Sequence, residues 1–129
     1  MAEDKENMTV LVVDDTDSAR DVAERILRFY GVDTIGARSG VEALELLEKD
    51  LPDLILLDIS MPEMDGLTFL EHLRQQPRFQ ELPVVMMTAI ADKESVNRAF
   101  ALGVCEYLVK ADFSAPRMVE VVRRHARHH

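Results

Sequence analysis

Three carboxylates, a hydroxyl and an ammonium follow or end four of the five short apolar runs in the chain. Asp14 and Asp15 follow the run TVLVV, and Asp58 follows DLILL. Thr88 comes directly after LPVVMM, and Lys110 ends EYLVK. Carboxylates at close range repel one another, so one of them takes up a proton unless a cation lies nearby. The pattern therefore predicts a cation-dependent site wherever these residues meet.

A hard divalent cation suits these residue types. Magnesium prefers one or two carboxylates with several waters and leaves room for a phosphate, and Mn2+ accepts similar oxygen ligands. A carboxylate beside Mg2+, an ammonium and a hydroxyl can attack phosphorus and form an acyl phosphate. Asp58 is the expected nucleophile because it stands alone at the centre of the sheet. Asp14 and Asp15 form a pair that is suited to holding metal.

The elements that must position these residues alternate between two patterns. Apolar runs at 9–13, 53–57 and 82–87, with weaker ones at 32–37 and 106–110, are typical of strands buried on both faces. Apolar residues at helical spacing occupy the stretches between and after them. Five strands alternating with five helices predict an α/β fold, a doubly wound parallel sheet with helices on both faces. Ligands of such sheets bind at the carboxyl ends of the strands.

Turn and capping residues mark the predicted helix ends. Gly31 and Gly103 are expected to end the first and fourth helices. Ser39 followed by Glu42 matches a capping box for the second helix. Ser114 is expected to open the fifth.

Composition narrows the classes of function. At 129 residues, with 47% hydrophobic and 30% charged residues, the chain is expected to be one globular domain over residues 8–127, with a disordered leader at 1–7 and a tail at 128–129. No apolar run approaches the ~18 residues of a membrane-spanning helix, and no signal peptide opens the chain. The single cysteine, Cys105, fits a reducing compartment, so we expect a cytoplasmic protein without membrane contact. A net charge of −9 argues against direct binding of nucleic acid.

With these residues in place, the chain resembles the receiver domain of two-component response regulators, of the CheY-like type, from residue 10 to about residue 126. The matching motifs are VVDD at 12–15, LLDISMPEMDG at 56–66, MMTA at 86–89 and EYLVK at 106–110. The arrangement around Asp58 is the most specific of them. Periodicity leaves the strand order open, whereas the resemblance implies the flavodoxin-like order 2-1-3-4-5.

The resemblance also implies roles for the acidic residues. Asp58 would accept a phosphoryl group from a histidine kinase or a histidine phosphotransfer protein in a magnesium-dependent reaction. Asp15, Asp58 and the backbone carbonyl of Ser60 would hold the metal, and Asp14 would act partly through water. Lys110 would pair with the phosphoryl group.

The same resemblance implies a switch. Thr88 would move to bond the phosphoryl group, and Tyr107 would turn inward as Thr88 vacates space. The change would reach the face made by the fourth helix, fifth strand and fifth helix. We therefore expect a signalling protein rather than an enzyme, acting through an effector domain, a downstream protein or a homodimer.

One residue departs from the family pattern. Receivers usually carry proline after the lysine, in a cis peptide bond, whereas Lys110 is followed by Ala111. A cis bond before a residue other than proline costs about 2.5–4 kcal/mol. We therefore expect this bond to be trans or visibly strained.

Three other interpretations stay open at this point. A pseudo-receiver would bind partners without being phosphorylated. The intact acidic set and Lys110 argue against it, and the missing proline keeps it open. A phosphatase of the haloacid-dehalogenase kind also uses a nucleophilic aspartate, but it places a second one two residues later, where this chain has Ser60. A dinucleotide or flavin binder needs a glycine-rich first turn, and here that turn reads DDTDS.

Overall fold

Residues 8–127 are described by a computed structural model, and the expected leader at 1–7 and tail at 128–129 lie outside the described residues. Strands and α-helices alternate along this part of the chain. Their bounds are β1 Thr9–Val13, α1 Asp17–Phe29, β2 Asp33–Ala37, α2 Gly40–Lys49, β3 Leu54–Leu57, α3 Gly66–Gln75, β4 Val84–Thr88, α4 Lys93–Ala101, β5 Glu106–Val109 and α5 Ala115–His125. Short 3-10 turns occupy Pro77–Phe79 and Lys110–Asp112.

The five strands form one parallel sheet in the order β2-β1-β3-β4-β5. This confirms both the doubly wound α/β fold and the order 2-1-3-4-5. The register places Val13 opposite Leu57, Leu57 opposite Met86, and Thr88 opposite Val109. Because the strands are parallel and aligned in this way, the residues that end them share one edge of the sheet.

Two apolar layers cover the two faces of the sheet. Successive strand residues point to opposite faces, so Leu57 packs in the layer that includes α2, α3 and α4, and Leu56 in the layer that includes α1 and α5. All four residues of β3 are buried. Burying a leucine side chain contributes about 1.5–3 kcal/mol, so β3 is held firmly directly before Asp58.

The helix ends follow the predicted chemistry with one difference. Gly31 and Gly103 adopt φ angles of +86° and +83°, which confirms left-handed residues at the ends of α1 and α4. The Ser39 hydroxyl accepts from the N–H of Glu42 at 3.0 Å, as a capping box requires. The Glu42 carboxylate, however, accepts from the N–H of Arg38 at 2.8 Å and not from that of Ser39.

Strand ends differ from the predicted ones by one or two residues. β2 and β3 each begin one residue later than expected, and β4 covers Val84–Thr88 rather than 82–87. Pro83 has no N–H to give to the ladder, whereas Thr88 pairs with Val109. β5 ends before Lys110 because that residue begins a 3-10 turn. Among the helices within residues 8–127, none combines the length and apolar character needed to cross a membrane.

Candidate functional site

Asp14 and Asp58 continue the sheet ladder one residue beyond β1 and β3. The N–H of Asp58 donates to the carbonyl oxygen of Val13 at 3.0 Å, and the N–H of Asp14 donates to that of Ala37 at 3.0 Å. This pairing keeps both aspartates inside the protein, where they are 4% and 5% exposed. Buried carboxylates are costly unless they are paired or hydrogen-bonded.

Lys110 supplies the pairing. Its Nζ donates to Oδ2 of Asp14 at 2.9 Å and to Oδ2 of Asp58 at 3.0 Å, and its side chain is 27% exposed. Burial alone would lower the pKa of the ammonium, but the hydrogen bonds and charges of both aspartates outweigh burial and raise this pKa above its usual value. Lys110 is therefore a full positive charge between two buried carboxylates.

The second oxygen of each carboxylate is held by the backbone. Oδ1 of Asp14 accepts from the N–H of Thr16 at 3.0 Å, and Oδ1 of Asp58 accepts from the N–H of Ser60 at 3.2 Å. These local bonds orient both carboxylates toward the edge of the sheet.

Asp15 completes an acidic cluster that fits a divalent cation. One carboxylate oxygen from each of Asp14, Asp15 and Asp58 lies within 4.8 Å of the others, and Asp15 is the least buried of the three. Three carboxylates and the Lys110 ammonium carry a net charge of minus two, which a divalent cation would balance. An oxygen-only set of this kind suits Mg2+ or Mn2+ rather than zinc or copper. The role of the Ser60 carbonyl as a further ligand stays a prediction.

The side chains of Thr88 and Tyr107 both form hydrogen bonds with the backbone of Ile90, in the loop that leads from β4 to α4. The buried Oγ1 of Thr88 accepts from the N–H of Ile90 at 3.3 Å, and the Tyr107 hydroxyl donates to the carbonyl oxygen of Ile90 at 2.6 Å. Burial, followed by the charges of Asp92 and Asp58, raises the pKa of Tyr107, so its hydroxyl stays a donor at neutral pH. Both switch residues predicted from the sequence are thus bonded to one residue of this loop.

Comparison with known proteins identifies the family to which this geometry belongs. Residues 10–123 match the model of the response regulator receiver domain. The chain belongs to the response regulator receiver family. It is therefore a CheY-type receiver domain of the kind found in two-component signalling systems.

Relatives of different length carry this receiver domain. The polar-differentiation response regulator DivK of Brucella ovis is 34% identical over 115 residues, which cover 89% of this chain and 93% of DivK. The sensor histidine kinase CheAY of Helicobacter pylori is 35% identical over 117 residues, but these are 89% of this chain and only 14% of that kinase.

Solved receiver structures have the same fold. The chemotaxis protein CheY4 of Vibrio cholerae superimposes with a TM-score of 0.86 and 30% identity, covering 93% of this chain and 99% of CheY4. A response regulator receiver protein from Pseudomonas putida gives a TM-score of 0.87 at 26% identity, covering 93% and 98% of the two chains.

No cis peptide bond occurs within residues 8–127, so the bond between Lys110 and Ala111 is trans. This agrees with the expectation for a receiver that lacks the usual proline. The 3-10 turn Lys110–Asp112 follows, and the N–H of Phe113 closes it by donating to the carbonyl oxygen of Lys110 at 3.1 Å. With this bond in the trans form, Lys110 still bonds both Asp14 and Asp58.

Gly66 lets α3 begin directly against the backbone that follows β3. Its N–H donates to the carbonyl oxygen of Ile59 at 2.8 Å. A Cβ at this position would overlap the carbonyl oxygen of Asp58 and lie 2.8 Å from Cα of Ile59. Asp65 caps the helix by accepting from the N–H of Thr68 at 2.8 Å. The pair Asp65 and Gly66 therefore shapes the loop that follows Asp58.

Sequence reasoning missed two arginines that hold backbone segments, Arg20 beside the acidic cluster and Arg74 beside the amino ends of β4 and β5. Arg20 donates from Nη1 to the carbonyl oxygen of Asp14 at 2.8 Å. Its acidic partners at helical spacing, Asp17 and Glu24, were a visible signal of a held side chain. Arg74 donates to backbone carbonyls in the turn after α3 and at the end of α4 at 2.7–2.9 Å. No pattern in the sequence marks these carbonyls as its partners.

Proposed function

We propose that this receiver is a phosphoacceptor: Asp58 takes a phosphoryl group from the histidine of a histidine kinase or phosphotransfer protein, in a reaction that depends on Mg2+ and tolerates Mn2+. The observation that carries the proposal is the Lys110 ammonium, within 3.0 Å of two buried carboxylates at the edge of the sheet. A charged, hydrogen-bonded carboxylate flanked by a cation can act as a nucleophile toward phosphorus.

The transfer breaks one bond and forms one. A carboxylate oxygen of Asp58 attacks the phosphorus of the phosphohistidine, so a new O–P bond forms as the P–N bond breaks. The imidazole leaves with the electron pair of that bond and takes up a proton from water. Asp58 is fixed for this step by the N–H of Ser60 and by Lys110, which lowers the entropic cost of aligning the reacting atoms.

Asp14, Asp15, Asp58 and the backbone carbonyl of Ser60 are the proposed metal ligands. Mg2+, when bound, would supply positive charge against the phosphoryl oxygens. Lys110 gives up its contact with Asp58 and follows the charge onto a phosphoryl oxygen. Its raised pKa supports this role because the group stays cationic throughout.

The shared bonding at Ile90 supports a switch that begins in the loop between β4 and α4. When the Thr88 hydroxyl turns to a phosphoryl oxygen, the N–H of Ile90 loses its partner and the loop is freed to move. The Tyr107 hydroxyl, bonded to the carbonyl of the same residue, then releases and turns inward. The change spreads to the α4–β5–α5 face, where an effector domain, a downstream protein or a second copy would bind.

Intact-mass analysis tests the phosphoacceptor role. We expect one added phosphoryl group on the wild type after incubation with Mg2+ and an acyl phosphate, and none after Mg2+ is chelated. Asp58→Asn should take up no phosphoryl group, whereas Asp50→Asn, which changes an exposed carboxylate at the end of α2, should behave as the wild type does.

The alternatives predict other results. A pseudo-receiver would give no adduct with the acyl phosphate or with phosphorylated histidine kinases. A phosphatase would release inorganic phosphate from phosphate monoesters over many turnovers. A cytoplasmic location is proposed together with the phosphoacceptor role, because Cys105 fits a reducing compartment.

A further inference from the structure

Arg20 joins α1 to the acidic turn that follows β1. Its Nη1 donates to the carbonyl oxygen of Asp14 at 2.8 Å, and its Nη2 donates to Oδ1 of Asp17 at 2.6 Å. Its Nε lies 3.9 Å from Oε2 of Glu24. The Arg20 side chain is only 18% exposed, so the guanidinium is a held group and not a solvated surface charge.

The backbone of β2 forms the other wall of this arrangement. A Cβ on Gly36 would lie 2.5 Å from Oε2 of Glu24 and 3.2 Å from Cδ of Arg20. Glu24 is also tied to β2, because the hydroxyl of Thr34 donates to its Oε1 at 3.0 Å. Arg20 is thus enclosed between α1, β2 and the acidic turn, at a place that a side chain on Gly36 would crowd.

The hydrogen bond from Arg20 to the carbonyl of Asp14 also restrains Asp15, because one peptide unit joins the two residues. The carbonyl of Asp14 and the N–H of Asp15 belong to the same planar group, so a bond that fixes the carbonyl also fixes where Asp15 begins. The Asp14 side chain is held independently, by Thr16 and Lys110. Asp15 is the least buried member of the acidic cluster and depends most on the backbone that presents it.

We infer that Arg20 is a positioning residue for the divalent cation. By clamping the carbonyl of Asp14, its guanidinium sets the turn so that the Asp15 carboxylate lies within reach of Asp14 and Asp58. The inference rests on the proposed function, because it concerns the same metal site. It adds a residue of α1 that is not itself a ligand of the metal.

Charge and positioning predict opposite effects when Arg20 is replaced. Removing a positive charge close to a cation site would strengthen Mg2+ binding if Coulomb repulsion were the main effect of Arg20. Loosening the turn would weaken it. Outer-shell partners of metal ligands typically contribute about 10–100-fold in affinity. Because Arg20 acts through the backbone, we expect the lower end of that range.

The test is the dissociation constant of Mg2+, measured by isothermal titration calorimetry on the full chain. We expect Arg20→Gln to bind Mg2+ about tenfold more weakly than the wild type. Arg20→Lys keeps the charge but loses the planar fork, so its affinity should fall between the two. Arg25→Gln is the matched control: Arg25 lies on the same helix, pairs with Asp21 at 2.9 Å and is 75% exposed. Its affinity should equal that of the wild type.

Each outcome decides a different question. If the wild type binds Mg2+ and Arg20→Gln binds it equally well or more tightly, the positioning role is wrong and the proposed function stands. If the wild type binds no Mg2+, the proposed function itself fails. Circular dichroism and unfolding temperature without Mg2+ show whether Arg20→Gln is folded. If it is not, Arg20→Lys decides, and a wild-type affinity there overturns the positioning role.

Discussion

Replacing Lys110 with methionine removes the positive charge between two buried carboxylates and keeps much of the side chain's length. In the wild type the ammonium lies 2.9 Å from Oδ2 of Asp14 and 3.0 Å from Oδ2 of Asp58. The variant leaves these two carboxylates, each at most 5% exposed, without their cation. They can then be relieved only by protonation, by water or by a metal ion.

The expected loss of stability follows from burial. Breaking a fully buried ion pair costs about 3–5 kcal/mol, and exposed pairs contribute about 0–1 kcal/mol. Lys110 is 27% exposed, and without it each aspartate would still accept a hydrogen bond from a backbone N–H group. We therefore expect an intermediate cost of about 2 kcal/mol. For a domain of this size, that corresponds to a fall in the unfolding temperature of about 8 °C.

Mg2+ should reverse part of this loss. Without Lys110 the cluster carries one more uncompensated negative charge, and no ammonium competes for the oxygens of Asp14 and Asp58. Mg2+ affinity should therefore rise by about tenfold or more, which needs only about 1.4 kcal/mol. Unfolding temperatures with and without Mg2+ test both effects, with Lys49→Met, an exposed lysine of α2, as the control. A Lys110→Met protein that is as stable as the wild type without Mg2+, or that binds Mg2+ more weakly, would refute this account.

Three further predictions concern the same edge of the sheet. The folded-state pKa of Lys110 lies above its usual value of 10.5. The charged Lys110 therefore stabilises the fold fully below pH 10.5, and this stabilisation is lost as the pH rises through the raised pKa. In alkaline titrations the free energy of unfolding of the wild type should fall toward that of Lys110→Met. Gly66→Ala should destabilise the fold by about 1–3 kcal/mol in urea unfolding, because its Cβ meets the backbone of Asp58. Tyr107→Phe should lower the free energy of unfolding by about 1 kcal/mol, because it removes the hydrogen bond to the carbonyl of Ile90. The variant should still accept a phosphoryl group in the mass assay.

The sequence alone was enough to predict that the acidic residues meet. Alternating strand and helix patterns imply parallel strands, and parallel strands bring their carboxyl ends to one edge. This reasoning placed Asp14, Asp58, Thr88 and Lys110 at the same edge of the sheet, where the structure brings Lys110 between the two aspartates. The order of the strands is different, because it depends on crossovers that periodicity does not encode, and it came from resemblance to receivers.

The contacts of the long side chains could not be predicted in the same way. Whether Lys110 bonds one aspartate or both depends on the turn after β5, whose usual proline is replaced by Ala111. The five backbone carbonyls that Arg74 contacts come from segments brought together only by folding. The Ile90 contacts of Thr88 and Tyr107 likewise involve backbone atoms, which carry no residue-type signal.

Under the proposed function, the cations of the acidic site would exchange partners when Asp58 is phosphorylated. The Lys110 ammonium offsets the repulsion between the buried carboxylates of Asp14 and Asp58. It does so by bonding oxygen atoms that a metal ion would also need. A phosphoryl group on Asp58 would bring new anionic oxygens beside the same strand ends. Under the proposed function, Lys110 and the Thr88 hydroxyl would then bond the phosphoryl oxygens and leave Asp14 and Asp15 to the metal. Arg20, by contrast, is held by the backbone of the turn and by two acidic residues of its own helix, and it contacts no carboxylate oxygen of the cluster's proposed metal ligands. A cation that moves at Lys110 and one that stays in place at Arg20 would let the proposed site change its charge while its metal ligands stay in place.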